Sequence, residues 1–169
     1  MKRTMFLVAL TLAFAAASAQ NLTVGSYNIR NDNSGDARKG DGWAQRCPVI
    51  CELVQWVDYD IFGAQEVKKN QLDDMSALLA DYDHVGVGRD DGEHGGEHEP
   101  IFYKRDRFEL LDSGDFWISQ TPDVAGSRGW DPAARMQLCP LSRQTHQTPL
   151  LVLQSPHGPH RRRGAPRGC

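Results

Sequence analysis

Two apolar runs, separated by a single amphipathic helical stretch, do most to limit what this chain can fold into. "LTVGSYNIR" (22–30) alternates apolar and polar residues, the period of a half-buried strand, and ends near Asn28. "DIFGAQEV" (60–67) is a short continuous apolar run that closes in polar residues, the pattern of a buried strand. Between them lies a Gly- and Asp-rich loop, 31–42, and then a stretch from Trp43 to about Val57. In that stretch Trp43, Val49, Ile50, Leu53, Val54 and Val57 recur at helical spacing, with Pro48 tolerable only near the first turn.

The rest of the pattern continues the alternation. "NQLDDMSALLADY" (70–82) predicts a second amphipathic helix and "HVGVGR" (84–89) another short strand. "DDGEHGGEHE" (90–99) reads as a mobile acidic loop, and "PIFYKRDRFELLDSGDFWIS" (100–119) as strand, charged turn and strand. Strand, helix, strand, helix and then strand pairs predict an α/β or α+β domain with a mixed sheet. At 169 residues the chain fits one domain, with no internal repeat or dividing linker.

The first residues carry a different signal. Lys2 and Arg3, the apolar run Met5–Ala16 and the small residues Ala17-Ser18-Ala19 make a secretory leader, 1–19, too short for a bilayer span. The mature chain is then expected to start at Gln20 and to be secreted or periplasmic. Four cysteines in an exported chain invite a disulfide reading, but Cys47 and Cys51 are four apart in a helix and share a face without bridging geometry. Buried or unpaired thiols are expected instead. "CPVIC" (47–51) with "HGGEH" (94–98) would also be a conceivable zinc set, although a helical core pair and a solvated loop fit the spacing better. Trp43, Trp56, Phe62, Phe102, Phe116 and Trp117 are expected in the core. "KKNQ" (68–71) reads either as a substrate-facing segment or as a solvated helix start.

Asn28 and Glu66 stand out because each closes an apolar strand, where the backbone delivers side chains to the rim of a sheet. A carboxylate there can hold a hard cation such as Mg²⁺, and a nearby amide can orient a phosphate or add a ligand. A polar residue at a strand end can equally be a simple terminator.

The quoted segments from Leu22 to Met136, together with "SRGWD" (127–131), resemble in order and spacing the exported branch of the endonuclease/exonuclease/phosphatase superfamily. The resemblance implies an α/β fold, the N-terminal part of a four-layer sandwich of two mixed β-sheets flanked by helices, with the second sheet largely missing. It implies phosphoester hydrolysis with Mg²⁺ (or Mn²⁺), with Glu66 the metal-binding glutamate and Asn28 the active-site amide beside it, a second metal-site residue. Tyr103 in "IFYKRDRF" falls on a strand of the same face and is a weaker candidate for substrate contact. The implied partner is a phosphoester substrate (nucleic acid, inositol phosphate or phospholipid headgroup), with no stable protein partner and a monomeric chain. The family's later motifs, an Asn-x-His-x-Asp-His strand end, a Gly-Asp-Phe-Asn turn and a Ser-Asp-His close, do not occur here.

The ending bears on that absence. After Asp131 there is no Asp, Glu or Lys, and six arginines follow residue 134 in a chain whose net charge is only −3. Codons able to encode residues 154–160, read one base later, permit Asn-Leu-His-Met-Asp-His, the family's next motif. The expectation is therefore a partial domain over 20–136 and an out-of-frame tail over 137–169, with this exact chain poorly folded and inactive. The alternative is a non-catalytic exported fragment or binding module whose basic tail contacts anionic surfaces.

Overall fold

The computed structural model describes residues 21–127, 135–143 and 149–154. The expected leader, 1–19, and the arginine cluster of the tail lie outside them. Strand β1 (Val24–Asn28) and strand β2 (Ile61–Gln65) pair in parallel, Val24 opposite Ile61 and Asn28 opposite Gln65. Parallel neighbours need a crossover, and it is supplied by a single-turn helix α1 (Ser34–Ala37) and the long helix α2 (Trp43–Val57). Strands β3 (Tyr82–Val85) and β4 (Ile101–Lys104) complete a mixed sheet in the order β1-β2-β4-β3, after helix α3 (Lys69–Leu78).

Helix α2 buries Trp43, Cys47, Ile50, Cys51 and Val54, one face at 3.6-residue spacing. Pro48 stands in its second turn on the exposed side, so the Ala44 carbonyl that loses its N–H partner is open to water. The helix stops at Asp58, whose left-handed backbone (φ 59°) sends its N–H to the Val54 carbonyl. Trp56 departs from expectation. It lies two residues beyond Val54, about 200° round the helix, and is 82% exposed rather than in the core.

Every residue of β2 is buried, because both of its faces are covered. On one side Phe62 and Ala64 join the face of α2 and α3 residues Leu72 and Met75; on the other, Ile61 packs with Ile101, Tyr103, Phe108, Cys139 and Leu141. That second cluster is the space between two sheets. The second sheet comprises β5 (Phe108–Leu110), β6 (Gly114–Trp117), β7 (Arg135–Arg143) and β8 (Pro149–Gln154). The long β7 pairs with β5 and β6 along one edge and with β8 along the other, all antiparallel. The second sheet is thus present to the extent of four strands, two of them from the segment that the sequence sets apart as tail. Alternation explains how that segment complies: Val152 of β8 packs inward while Leu151 and Leu153 face solvent.

Helix α3 ends four residues before the pattern suggests, and β3 begins before its expected strand. The cause is tertiary. The Tyr82 hydroxyl donates to the Tyr59 carbonyl (2.6 Å) and its ring meets Phe62 edge-on (5.6 Å), drawing residue 82 into the sheet. The acidic segment 90–99 is not a free loop either. His98 is buried and bridges both Val67 and Gly88, and the Asp91 carboxylate accepts the Glu93 and Gly95 N–H groups, both at 2.8 Å. A methyl at Gly88 would stand 2.6 Å from the Gly95 nitrogen. Gly88→Ala is therefore expected to lower stability by about 1–3 kcal/mol, as overpacking does, read as a lower urea midpoint and faster proteolysis between residues 90 and 99. A silent substitution would mean the segment is mobile after all.

Candidate active site

Because β1 and β2 run in parallel, their C-terminal ends emerge side by side, and both chains then turn sharply. The ladder extends one step further, Ile29 N–H to Gln65 carbonyl (3.2 Å). Arg30 and Glu66 follow with φ of 60° each. A left-handed backbone costs a side-chain-bearing residue on the order of 1–3 kcal/mol and persists where surrounding contacts impose it, most often at functional sites.

The contacts are specific. Asn28 Nδ2 donates to Glu66 Oε1 at 2.9 Å, while Asn28 Oδ1 accepts the Arg30 N–H at 2.9 Å. The second bond fixes which way the amide faces: its nitrogen meets the carboxylate and its oxygen is turned to the chain. Glu66 Oε2 accepts the Asn31 N–H at 3.3 Å. Two of the carboxylate's roughly four acceptor positions are thus used, and the half-buried group keeps the others. Asn31 also donates to Glu97 Oε1 (2.7 Å), whose other oxygen takes Arg89 Nη1 (3.0 Å), so the 86–98 segment braces the same turn.

The turn after β1 is held from beneath by Arg46 of α2. Its Nη1 donates to the carbonyls of Ile29 (2.5 Å) and Arg30 (3.0 Å), and Nη2 to that of Asn31 (3.2 Å). Arg30 points elsewhere, gripping Asp36 through Nε and through Nη2 (2.8 Å), and Asn33 Nδ2 reaches the same carboxylate at 2.7 Å. These bonds, the Arg30 guanidinium first, hold the Asp36 carboxyl well below the usual carboxylate range. A group depressed on folding stabilises above its unfolded pKa and loses that contribution as pH falls toward its folded one. Asp36→Asn is accordingly expected to melt lower than the parent at pH 7, with the gap closing as the pH drops below the ordinary Asp value of 3.8. A gap of constant size down to pH 2 would refute the pairing. A cleft of about 430 Å³ opens beside Asn28, bordered by Tyr27, Gln45, Arg46 and Val49.

The structure therefore brings Asn28 and Glu66 together and leaves Tyr103 apart. Tyr103 lies opposite Ile61, at the start of β2, whereas Glu66 follows its end. Five residues at about 3.3 Å each put them ~16 Å apart along the strand. The Tyr103 ring is 5% exposed between the sheets, and burial pushes its hydroxyl pKa up to about 12. It is a core residue with no path to the rim. Nor do the cysteines and histidines assemble a zinc set: Cys47 and Cys51 are free thiols buried under α2, and burial pushes Cys51 up to about 12. Among the described residues no group of three or more His, Cys, Asp or Glu side chains is placed to hold a metal ion. What remains is one carboxylate with open lone pairs, oriented by an amide. That donor set fits a hard, oxygen-seeking ion that binds through one or two carboxylates and keeps most of its waters.

No family model matches the chain. Solved structures do. A mannosyl-6-phosphatase from Bacteroides thetaiotaomicron is 48% identical with a TM-score of 0.75, over 79% of this chain and 50% of its own. An endonuclease/exonuclease/phosphatase protein from Bacteroides vulgatus is 36% identical with a TM-score of 0.73, over 77% of this chain and 50% of its own. Among curated proteins, the uncharacterized protein R895 of Acanthamoeba polyphaga mimivirus is 26% identical over 94 residues, 49% of this chain and 14% of that one. The chain thus spans about half the length of the solved structures it matches. With the parallel β1–β2 exit, the two stacked sheets and these neighbours in agreement, the chain belongs to the endonuclease/exonuclease/phosphatase superfamily, matched over half of that fold.

Proposed function

We propose that this chain supplies the cation-holding end of an exported, metal-dependent phosphoester hydrolase. The observation that carries the reading is the Asn28–Glu66 pair: a strained glutamate at a parallel strand exit, its carboxylate fixed by an amide at 2.9 Å and still open to solvent. Mg²⁺ or Mn²⁺ bound there would offset the charge that develops on a transferred phosphoryl group. Glu66 would be its protein ligand. Asn28, with its oxygen committed to the Arg30 N–H, orients Glu66 instead of presenting a second oxygen. Arg46 holds the turn on which that orientation depends. Proton transfer to the leaving group and activation of water belong to motifs that the family resemblance places later in a chain. The 48% identity to a mannosyl-6-phosphatase supports a sugar phosphomonoester as the first substrate to try. The leader-like residues 1–19 support action outside the cytoplasm.

The test joins gene and protein. The gene is resequenced across codons 130–170, and the frame it supports is expressed beside the 169-residue chain. A frame continuing into the histidine motif is expected to release phosphate from mannose 6-phosphate with Mg²⁺ but not with EDTA, and to lose that activity on Glu66→Ala. The 169-residue chain is expected to bind Mn²⁺ without turnover. Phosphate release that survives Glu66→Ala would overturn the reading.

A further inference from the structure

Gln71 sits in the first turn of α3, and its side chain is wholly buried, with 0% exposure. Three hydrogen bonds leave it. Oε1 accepts the N–H of Asp32 at 2.9 Å and that of Lys68 at 3.1 Å, and Nε2 donates to the Arg30 carbonyl at 3.1 Å. Lys68 lies in the turn that follows Glu66; Arg30 and Asp32 lie in the turn that follows Asn28. One amide therefore spans both strand exits.

The distribution of those bonds matters more than their number. A helix-capping glutamine needs only the bond to the residue preceding its helix, here Lys68. The other two go to the peptide groups on either side of the Asn28 turn, where Arg30 is held at a φ of 60°. The Arg30 carbonyl takes Arg46 Nη1 on one lone pair and Gln71 Nε2 on the other. A left-handed arginine needs such outside partners to persist. If they are removed, the turn is free to relax toward ordinary backbone, carrying away the Arg30 N–H that fixes the Asn28 amide and the Asn31 N–H that Glu66 accepts.

We propose that Gln71 is a positioning residue for the Asn28–Glu66 pair, holding the two strand exits in register so that the carboxylate keeps its orientation. The inference rests on the cation reading above only for its affinity readout.

The experiment uses the full chain and Gln71→Met, which keeps the length and helix propensity of the side chain and removes all three bonds. Leu72→Ala, at the neighbouring buried position in the same helix, serves as a control for lost stability. Two quantities are read: the Asn28 side-chain amide resonances, against those of Glu66→Ala, and the dissociation constant for Mn²⁺. Gln71→Met is expected to move the Asn28 resonances to the Glu66→Ala positions and to weaken Mn²⁺ binding by about tenfold, as loss of a group behind a metal ligand does. Leu72→Ala should lower the melting temperature and move neither. Asn28 resonances unmoved in Gln71→Met, or moved equally by Leu72→Ala, would reduce Gln71 to a structural role and overturn the proposal. If the parent chain binds no Mn²⁺, the cation reading falls and the resonances alone decide on Gln71. Should Gln71→Met not fold, Gln71→Glu, which loses only the bond to the Arg30 carbonyl, carries the same comparison.

Discussion

Glu66→Gln is expected to weaken Mn²⁺ or Mg²⁺ binding by about 100- to 1000-fold while the fold stays in place. Attraction between one carboxylate charge and a divalent ion at an oxygen contact of ~2.1 Å is about 4 kcal/mol even at the dielectric constant of water, close to a thousandfold in affinity. No cluster of three or more metal-binding side chains forms among the described residues, and Glu97, the carboxylate that shares Asn31 with Glu66, already takes Asn31 Nδ2 and Arg89 Nη1. The substitution is otherwise mild. Glutamine has the same length, can still accept from Asn28 Nδ2, and meets the same left-handed backbone as glutamate. Isothermal titration with Mn²⁺ beside a thermal melt separates the two effects. Binding that persists within a few-fold would show that the cation, if any, sits elsewhere.

The largest expected loss of stability is at Phe102. The ring is 1% exposed in the central strand β4, stacked on Phe62 with centroids 4.8 Å apart and planes 3° from parallel, and His84 lies 5.3 Å away. Phe→Ala at such a site removes the transfer energy of the ring and leaves a cavity, about 3–5 kcal/mol. That is a large part of the 5–15 kcal/mol typical of a whole domain. Phe102→Ala is expected to unfold at far lower urea than the parent, or not to fold. Trp56→Ala makes the sharp contrast: as an exposed site it should change stability by no more than about 0.5 kcal/mol. A costly Trp56→Ala would mean that the outer face of α2 is covered in solution.

Periodicity foretold β1, β2 and α2 because their burial is decided by neighbours that the same pattern predicts. It did not foretell the order of the 86–98 segment, whose support comes from Val67 and Asn31, far away in the chain. Nor did it foretell β7 and β8, since a short alternating run becomes a strand only when partners such as β5 and β6 exist for it. The site divides in the same way. Asn28 and Glu66 were legible as polar residues closing apolar runs. Tyr103 was misplaced because β4 runs antiparallel to β2, which carries residue 103 to the end of the sheet opposite Glu66. Arg46 left no motif, and Gln71 was noticed only as the end of "KKNQ", a substrate-facing or solvated stretch, whereas it is wholly buried; the partners of both are peptide carbonyls and N–H groups, which every residue has.

The backbone of Glu66 has a consequence for how such genes age. A left-handed conformation costs L-residues about 1–2 kcal/mol that glycine does not bear, so glycine at position 66 would lift that backbone cost while giving up the carboxylate and the hydrogen bonds it takes from Asn28 and Asn31. The site chemistry and the backbone geometry thus favour different residues at this one codon. In a lineage released from catalysis, position 66 is where relaxation should register early, as drift to glycine or asparagine.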